Sequence, residues 1–321
     1  MVNLPQDYFR PLNQLIHGNY KEIKCDPITA LVMASYLTLI VPAAFLMLNC
    51  LKGRINREAS EKAKKVNEAA LKAMEEEKAR KLISDGDAYM GNHDYFKAFE
   101  CYKKAAELNS SEGHHSLGYC YDTGKGINQD YALAIKHYLL SQDQYESCYN
   151  LGYLYENGLG CEKSYEKAAE FYEKAMKMGD KEARLALANL YELGLGVEKD
   201  EKKAFDLVDP IANFMYPEAD VRLGRYYYDG IGCKADYSQA LNIFRYHAKH
   251  PDACYYHGLM HLEGRGVQKD EKMAFELFNK AKALGCVQAS LRLARMYYEG
   301  IGIEPNPEMA FKVISDAHHE S

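Results

Sequence analysis

The sequence lacks the features that would mark an enzyme or a nucleic-acid-binding protein. It has no catalytic triad, no glycine-rich phosphate loop and no paired-carboxylate motif. Acidic residues outnumber basic ones, 46 to 40, and the net charge of −6 offers no basic footprint for a phosphate backbone. We therefore expect a protein without catalytic residues, without a cofactor and without a nucleic acid partner.

The cysteines also lack the pattern of a disulfide framework or a zinc cluster. There are nine of them, an odd number, at irregular spacing and with no C-x-x-C pair. Most are expected to be small core residues of a protein in a reducing compartment.

Charge is absent from one long segment near the N-terminus. After a short polar segment at 1–27, residues 28–51 (ITALVMASYLTLIVPAAFLMLNCL) contain no charged side chain. A helix of this length spans the hydrocarbon core of a bilayer, about 30 Å. The sequence thus predicts a transmembrane helix at 28–51, in contact with the lipid bilayer and kinked at Pro42.

The flanking charges predict the orientation of this span. Residues 1–27 contain three Lys or Arg, whereas residues 52–72 contain seven. The positive-inside rule then places the N-terminus outside and the rest of the chain in the cytoplasm, or in the matrix if the membrane is the mitochondrial inner one. Residues 52–81 are predicted to form a helical stalk, because 55–81 is rich in Ala, Glu and Lys and has no Gly or Pro.

The remainder of the chain is an array of repeats. A phrase such as LGYLYENGLG (151–160) occurs six times, with its G-x-G motif recurring every 34 or 36 residues, and an Ala always follows ten residues after the first Gly. Each unit reads as a helix, a glycine-rich turn and a second helix. Residues 82–110 are a shortened unit, predicted to be a tetratricopeptide-like cap, and 111–319 contain six full repeats.

The spacing within a unit predicts how its two helices meet. The Gly or Ala that follows the first Leu, such as Gly118, is expected to let the helices approach closely, with Ala134 of the second helix opposite. The G-x-G ends the first helix, and an Asp after the turn caps the next one. Asp209-Pro210 interrupts the second helix of the third full repeat, where we expect a local kink of the solenoid.

The pattern L-G-x-x-Y-x-x-G-x-G followed by K-A-x-x-hydrophobic-aromatic-x-K-A resembles the SEL-one-like repeat family, a relative of tetratricopeptide repeats. The resemblance covers 111–319, or 82–319 with the cap. It implies an all-α, right-handed α-solenoid of about seven helix-turn-helix repeats. It also implies a non-catalytic adaptor or scaffold. His257 and His261 depart from the family pattern, because they replace the usual Leu and Tyr.

A partner-binding groove is predicted along the first helices, if these line the concave face as in tetratricopeptide arrays. Two rows of side chains would project there, one residue after and three residues before each small Gly or Ala. A peptide or a helix of a protein partner suits such an aromatic surface with arginines. The alternative is that some of these side chains pack between neighbouring first helices. The groove residues chosen from the rows are Tyr119, Tyr149, Tyr153, Arg225, Tyr255 and Arg295.

One group of residues is a weak candidate for a metal site. Cys254, His257 and His261 share one helical face, which suits a soft metal. Two of the three occupy core positions of the repeat, however, and no fourth ligand is evident. The sequence therefore favours core packing and predicts no metal.

Three functions agree with this organisation. The first is a membrane-anchored interaction scaffold that uses the concave surface. The second is a structural accessory subunit, permanently bound in a larger membrane complex such as one of the mitochondrial inner membrane. The third, based on the resemblance, is an adaptor in endoplasmic-reticulum-associated degradation. In that adaptor the repeats face the lumen from a C-terminal anchor, whereas the anchor predicted here is N-terminal.

Overall fold

The computed structural model describes residues 27–319, without the side chains of 27–45, 59 and 317–319. The polar segment predicted at 1–27 therefore lies outside the described residues, apart from Pro27. The chain divides into two units, Met1–Glu75 and Glu76–Ser321. Helix and turn account for all regular structure between residues 27 and 319, where there is no strand. The all-α prediction is thus confirmed.

The first helix, α1, runs without a break over Pro27–Gly91. It includes the predicted stalk at 52–81, and its last turns belong to the first repeat. The transmembrane helix predicted at 28–51 is not confirmed. Most of its side chains lie outside the description, and within the described part of the chain none of the helices combines the length and the apolar character needed to span a bilayer.

Thirteen further helices follow α1 between residues 95 and 319 and pair with one another in chain order. The end of α1 packs against α2, where Gly86 lies beside the Tyr102 ring. Each later pair consists of a first helix and a second helix joined by a turn. The seven helix pairs expected from the repeats are therefore present. The helices are α2 (Tyr95–Glu107), α3 (Ser111–Thr123), α4 (Tyr131–Leu139), α5 (Tyr145–Asn157), α6 (Tyr165–Lys177), α7 (Lys181–Leu193), α8 (Glu201–Val208), α9 (Pro217–Asp229), α10 (Tyr237–Tyr246), α11 (Pro251–Glu263), α12 (Glu271–Ala283), α13 (Val287–Glu299) and α14 (Pro307–His319).

The turn between paired helices has the same construction in each full repeat. The first Gly of the G-x-G motif ends the first helix in the left-handed region, with φ between 69° and 74°, which costs Gly nothing. Six residues later the chain caps the second helix: the carboxylate of Asp200 accepts a hydrogen bond from the backbone N–H of Lys203, and that of Asp270 from Met273. The turns and caps are therefore encoded locally, as predicted.

The small residue of the first helix makes room for an aromatic ring, which differs from the prediction. A Cβ atom added at Gly152 would lie 2.6 Å from two ring carbons of Tyr172, four residues after the Ala expected to lie opposite. At Gly118 the same contact would be 2.8 Å, with Tyr138. Both rings are almost completely buried. Glycine is needed here because the ring, rather than the other helix backbone, occupies the space beside it.

The two positions vary together along the chain. In the two repeats whose second helix has an aliphatic residue instead of a ring, the first helix has Ala instead of Gly. A larger residue on the first helix is therefore matched by a smaller one on the second helix, as close packing of interiors requires. The pairs with Gly are Gly86 with Tyr102, Gly118 with Tyr138, Gly152 with Tyr172, Gly224 with Phe244 and Gly258 with Phe278, and those with Ala are Ala188 with Val208 and Ala294 with Ile314.

In the first three repeats the buried ring is a tyrosine that donates a hydrogen bond to a carboxylate of its own first helix. The hydroxyl of Tyr172 lies 2.7 Å from Glu156, and that of Tyr102 lies 2.7 Å from Asp87. A buried hydroxyl without a partner would cost free energy, so the carboxylate completes the packing.

The fourth repeat is interrupted where the sequence predicted it. Helix α8 ends at Val208 and is followed by a 3-10 turn at Asp209–Ile211. Proline at 210 cannot supply an N–H and blocks continuation of the α-helix. The chain then crosses to α9 through Phe214, whose φ of 61° is unusual for a residue with a Cβ. The carboxylate of Asp220 holds this loop by accepting a hydrogen bond from the Phe214 N–H, 3.1 Å away.

Candidate partner-binding surface

Successive first helices are joined directly by polar contacts. Arg225 of α9 lies 2.6 Å from the carboxylate of Glu192 on α7, and the hydroxyl of Tyr228 on α9 donates to Glu263 of α11 at 2.6 Å. The guanidinium of Arg222 also reaches the backbone carbonyl of Leu185, at 3.4 Å. The first helices therefore form one surface made from neighbouring repeats.

A cleft of about 480 Å³ opens in this surface, between α7, α9, α11 and α13. This size lies within the range of ligand pockets, roughly 300–1,000 Å³. The lining combines amide, basic, acidic and aromatic side chains and is mostly polar. The cleft residues used below are Asn189, Val221, Arg222, Arg225, Tyr255, Tyr256 and Gln288, together with the acidic pair Glu218 and Asp252.

Arg225, predicted to project into the groove, lines the cleft but already has a partner. Its ion pair with Glu192 is largely buried, because only 26% of the Arg225 side chain and 11% of the Glu192 side chain are exposed. The hydroxyl of Tyr226 donates to the same carboxylate at 3.0 Å. Burial, and after it the nearby Glu192, raises the pKa of Tyr226 to about 12, so the hydroxyl keeps its proton. This group fastens α9 to α7 beside the cleft.

Tyr255 is the second predicted groove residue that lines the cleft. Its hydroxyl accepts a long hydrogen bond from Nε of Arg292, at 3.4 Å, and its ring packs against Phe278. Neighbouring Tyr256 stacks on Phe244, and burial raises its pKa to about 12. The two rings form an aromatic wall beside the cleft, and the Tyr256 hydroxyl keeps its proton at neutral pH.

The other predicted groove residues do not line the cleft. Tyr149 is half-buried against Tyr172, and desolvation raises its pKa. Tyr119 accepts a hydrogen bond from the Lys125 ammonium at 2.8 Å. Tyr153 is exposed, and Arg295 forms an exposed ion pair with Glu299 of its own helix. From the two predicted rows the structure therefore brings Asn189, Val221, Arg225 and Tyr255 together.

Sequence reasoning missed Glu192, Arg222, Tyr256 and Gln288. A signal for Glu192 does exist: it occupies the carboxylate position of the earlier repeats, but Val208 replaces the tyrosine that would donate to it. Because Glu192 has no tyrosine donor in its own repeat, its carboxylate is expected to accept a hydrogen bond from another repeat. Arg225 and Tyr226 of the next repeat donate to it.

The candidate metal ligands Cys254, His257 and His261 contact a backbone carbonyl and one another's rings instead. The thiol of Cys254 lies 3.2 Å from the backbone carbonyl of Ala248, and the rings of His257 and His261 are 5.1 Å apart. Burial, followed by the charges of neighbouring basic groups, lowers the pKa of His257 to about 4. Within the described residues, no group of three or more His, Cys, Asp or Glu side chains is arranged to hold a metal ion.

Comparisons with known proteins agree with this architecture. No curated protein matches the sequence. A Sel1 repeat protein from Oxalobacter formigenes is 24% identical, with a TM-score of 0.68 over 74% of this chain and 96% of that one. The protective antigen c5321 of uropathogenic Escherichia coli, which has an SLR fold, is 25% identical, with a TM-score of 0.62 over 76% of this chain. This chain spans about half of that antigen's length, 54%.

The model of the Sel1 repeat matches seven segments, which together make up more than half of the chain. The first of them is the shortened unit predicted to be a tetratricopeptide-like cap. The segments are residues 82–110, 111–143, 146–180, 181–208, 217–246, 251–286 and 287–312. The chain therefore belongs to the Sel1 repeat family.

Proposed function

We propose that this protein is a membrane-anchored, non-catalytic scaffold that binds a protein partner in the cleft between α7, α9, α11 and α13. Sel1 repeat proteins generally mediate protein–protein interactions, and such scaffolds are typically non-catalytic. The observation that carries the proposal is the lining of the cleft, to which four successive first helices contribute hydrogen-bonding and aromatic side chains.

The lining favours a peptide segment over a compact small molecule. Asn189 and Gln288 come from the first and the last of the four helices, α7 and α13, and each amide both donates and accepts, as recognition of a peptide backbone requires. Tyr255 and Tyr256 offer large surfaces with little rotational freedom, typical of residues that contribute much of an interface's free energy. Glu218 and Asp252 offset the arginines, so a partner of mixed charge suits the cleft better than a polyanion.

The anchor is proposed from the sequence alone. Support comes from the uncharged stretch at 28–51 and from the excess of Lys and Arg that follows it. If this is right, the full-length chain stays with the membrane fraction at alkaline pH, and deletion of 28–51 releases it. Protease added to the outside then leaves the repeats intact. A full-length chain that is released at alkaline pH would contradict the anchor.

Photo-crosslinking tests the cleft. A photoreactive residue at Gln288 is expected to capture a partner that one at Gln268, in an exposed turn outside the cleft, does not. Mass spectrometry identifies the captured chain, whose binding to the purified protein is then measured. Changing Asn189 and Gln288 to Ala should abolish that binding, and the control changes Asn128→Ala with Gln268→Ala should not.

A different outcome would favour the permanently bound accessory subunit. If the partner still binds the double cleft variant but is lost when residues 1–54 are deleted, the membrane segment holds the complex and the cleft proposal is wrong.

A further inference from the structure

Opposite charges occupy different positions along the helices that line the cleft. Glu218 and Asp252 are each the second residue of their helix, α9 and α11, and we call this pair the acidic edge. The arginines come later in α9, where Arg222 is the sixth residue and Arg225 the ninth. The acids therefore lie at the helix N-termini and the arginines lie farther along.

The contacts between first helices indicate that these helices run in the same direction. Arg222, sixth in α9, donates to the backbone carbonyl of Leu185, which is fifth in α7, at 3.4 Å. Tyr228, twelfth in α9, donates to Glu263, which is the last residue of α11, at 2.6 Å. Because each contact joins similar positions, the N-termini of neighbouring first helices lie at the same side of the cleft. The charges of the cleft are therefore separated along one direction.

Of the two arginines, Arg222 is the one that can accept a new acidic partner. Arg225 is already paired with Glu192. Arg222 forms no ion pair with any residue that the structure describes, and its hydrogen bond to the Leu185 carbonyl is long. The side chain is half-buried, so a carboxylate beside it would be held partly away from water, where the attraction between opposite charges is stronger. A guanidinium can bind such a carboxylate through two parallel hydrogen bonds.

The acidic edge has no cation of its own. Neither Glu218 nor Asp252 forms an ion pair within the described part of the chain, and both are exposed. The Asp252 carboxylate lies 3.9 Å from the thiol of Cys286, which is a weak donor. Two carboxylates at the same position of neighbouring helices repel each other, and a cationic side chain between them would relieve this repulsion. The cleft thus offers separate sites for a basic and an acidic group.

The separation of the two sites sets the spacing that a partner needs. Glu218 and Arg222 are four residues apart on one helix, which places them about 6 Å apart along its axis. In an extended chain, side chains two residues apart lie on the same face, separated by about 7 Å. Opposite charges two residues apart therefore match the cleft, and the aromatic wall of Tyr255 and Tyr256 can pack against the same segment.

We propose that the cleft binds an extended segment of a partner protein that carries a basic and an acidic side chain two residues apart, in either order. The basic side chain lies between Glu218 and Asp252, and the acidic one pairs with the guanidinium of Arg222. This inference rests on the scaffold function proposed above and adds the kind of sequence that the cleft selects.

Peptide display tests this selection. Random dodecapeptides displayed on phage are selected on the full-length chain in detergent micelles, and in parallel on its variant with Asn189→Ala and Gln288→Ala. We expect the peptides enriched by the parent chain alone to carry Lys or Arg two residues from Asp or Glu. One of them is then synthesised and its binding is measured by fluorescence anisotropy. Replacing its acid by the amide should weaken binding at least about tenfold, as expected for hydrogen bonds between charged groups.

Changes in the protein identify which residue meets which charge. Arg222→Gln should weaken binding of the acidic peptide at least about tenfold and leave binding of the amide peptide unchanged, because the acid and the arginine are one pair. Glu218→Gln combined with Asp252→Asn should weaken binding by about threefold, a smaller loss because both carboxylates are exposed. Glu112→Gln is the matched control: it changes the second residue of α3, outside the cleft, and should leave binding unchanged.

Three results would overturn the proposal. Cleft-dependent peptides without opposite charges at this spacing would contradict it and leave the scaffold function standing. An equal loss of the acidic and the amide peptide on Arg222→Gln would show that this arginine does not meet the acid. If no peptide distinguishes the parent from the variant changed at Asn189 and Gln288, the cleft binds no peptide and both proposals fail. The amide peptide keeps the test decisive even if Arg222→Gln lowers the thermal midpoint, because that change leaves the protein untouched.

Discussion

A double-mutant cycle can test whether Gly152 is needed because the Tyr172 ring packs beside it. A methyl group added by Gly152→Ala would lie 2.6 Å from the tyrosine ring, which is 1% exposed, so the ring would have to shift. Overpacking of this kind costs about 1–3 kcal/mol, and the better helix propensity of Ala returns about 1 kcal/mol. We therefore expect Gly152→Ala alone to lower the free energy of unfolding by about 1 kcal/mol.

The same substitution should stabilise the protein once the ring is removed. Tyr172→Val alone leaves a cavity and costs about 2–4 kcal/mol. In that background the methyl group that Gly152→Ala adds meets no ring, so the propensity gain remains and the variant should recover about 1 kcal/mol. The double variant reproduces the pair that the chain already has at Ala188 and Val208.

Urea unfolding followed by circular dichroism measures the cycle, with hydrogen exchange in α5 and α6 as a local readout, because long repeat arrays do not always unfold in one step. Ala188→Gly is the matched control and should destabilise, since no ring fills the space beside that position. Equal effects of Gly152→Ala in the two backgrounds would refute the packing argument, because coupling between touching residues should reach about 0.5–3 kcal/mol.

Two further predictions concern charged groups. Glu192→Ala should lower the free energy of unfolding by about 2 kcal/mol. Breaking a fully buried ion pair costs about 3–5 kcal/mol, and the loss is smaller here because 26% of the Arg225 side chain is exposed. An unchanged urea midpoint would show that the pair contributes nothing. Burial lowers the pKa of both His137 and His257 to about 4, so these two histidines bind more protons in the unfolded chain between pH 6.5 and 4. Their contribution to stability should therefore be constant above about pH 7 and fall as the pH drops through that window. Thermal midpoints between pH 7.5 and 4 measure this, and replacing both histidines by Gln should flatten the decline.

Local signals were sufficient for the order of the elements. The G-x-G turns, the capping residues such as Asp200 and the break at Pro210 lie where the sequence predicts them. Each depends on backbone conformation and hydrogen bonds within a few residues, which the local sequence dictates. The repeat period then implied seven helix pairs without any knowledge of how their side chains meet.

The site was only partly predictable. The rows that the repeat register defines include Asn189, Val221 and Tyr255, and the structure does bring these into one cleft. They also include Tyr119 and Tyr153, which lie outside it. The register states which helix carries a residue and on which face, but it does not state which side chains of neighbouring repeats meet there, so it could not predict where the cleft opens.

The sequence by itself determined that this protein is an array of helix pairs, because a period of 34 or 36 residues with glycine turns has few other physical solutions. Only the tertiary structure decided that Gly152 faces the Tyr172 ring and that Glu192 binds an arginine 33 residues away. These contacts depend on how helices cross and on which side chains fill the space between them. Such long-range packing is a property of the folded array rather than of any short stretch of sequence.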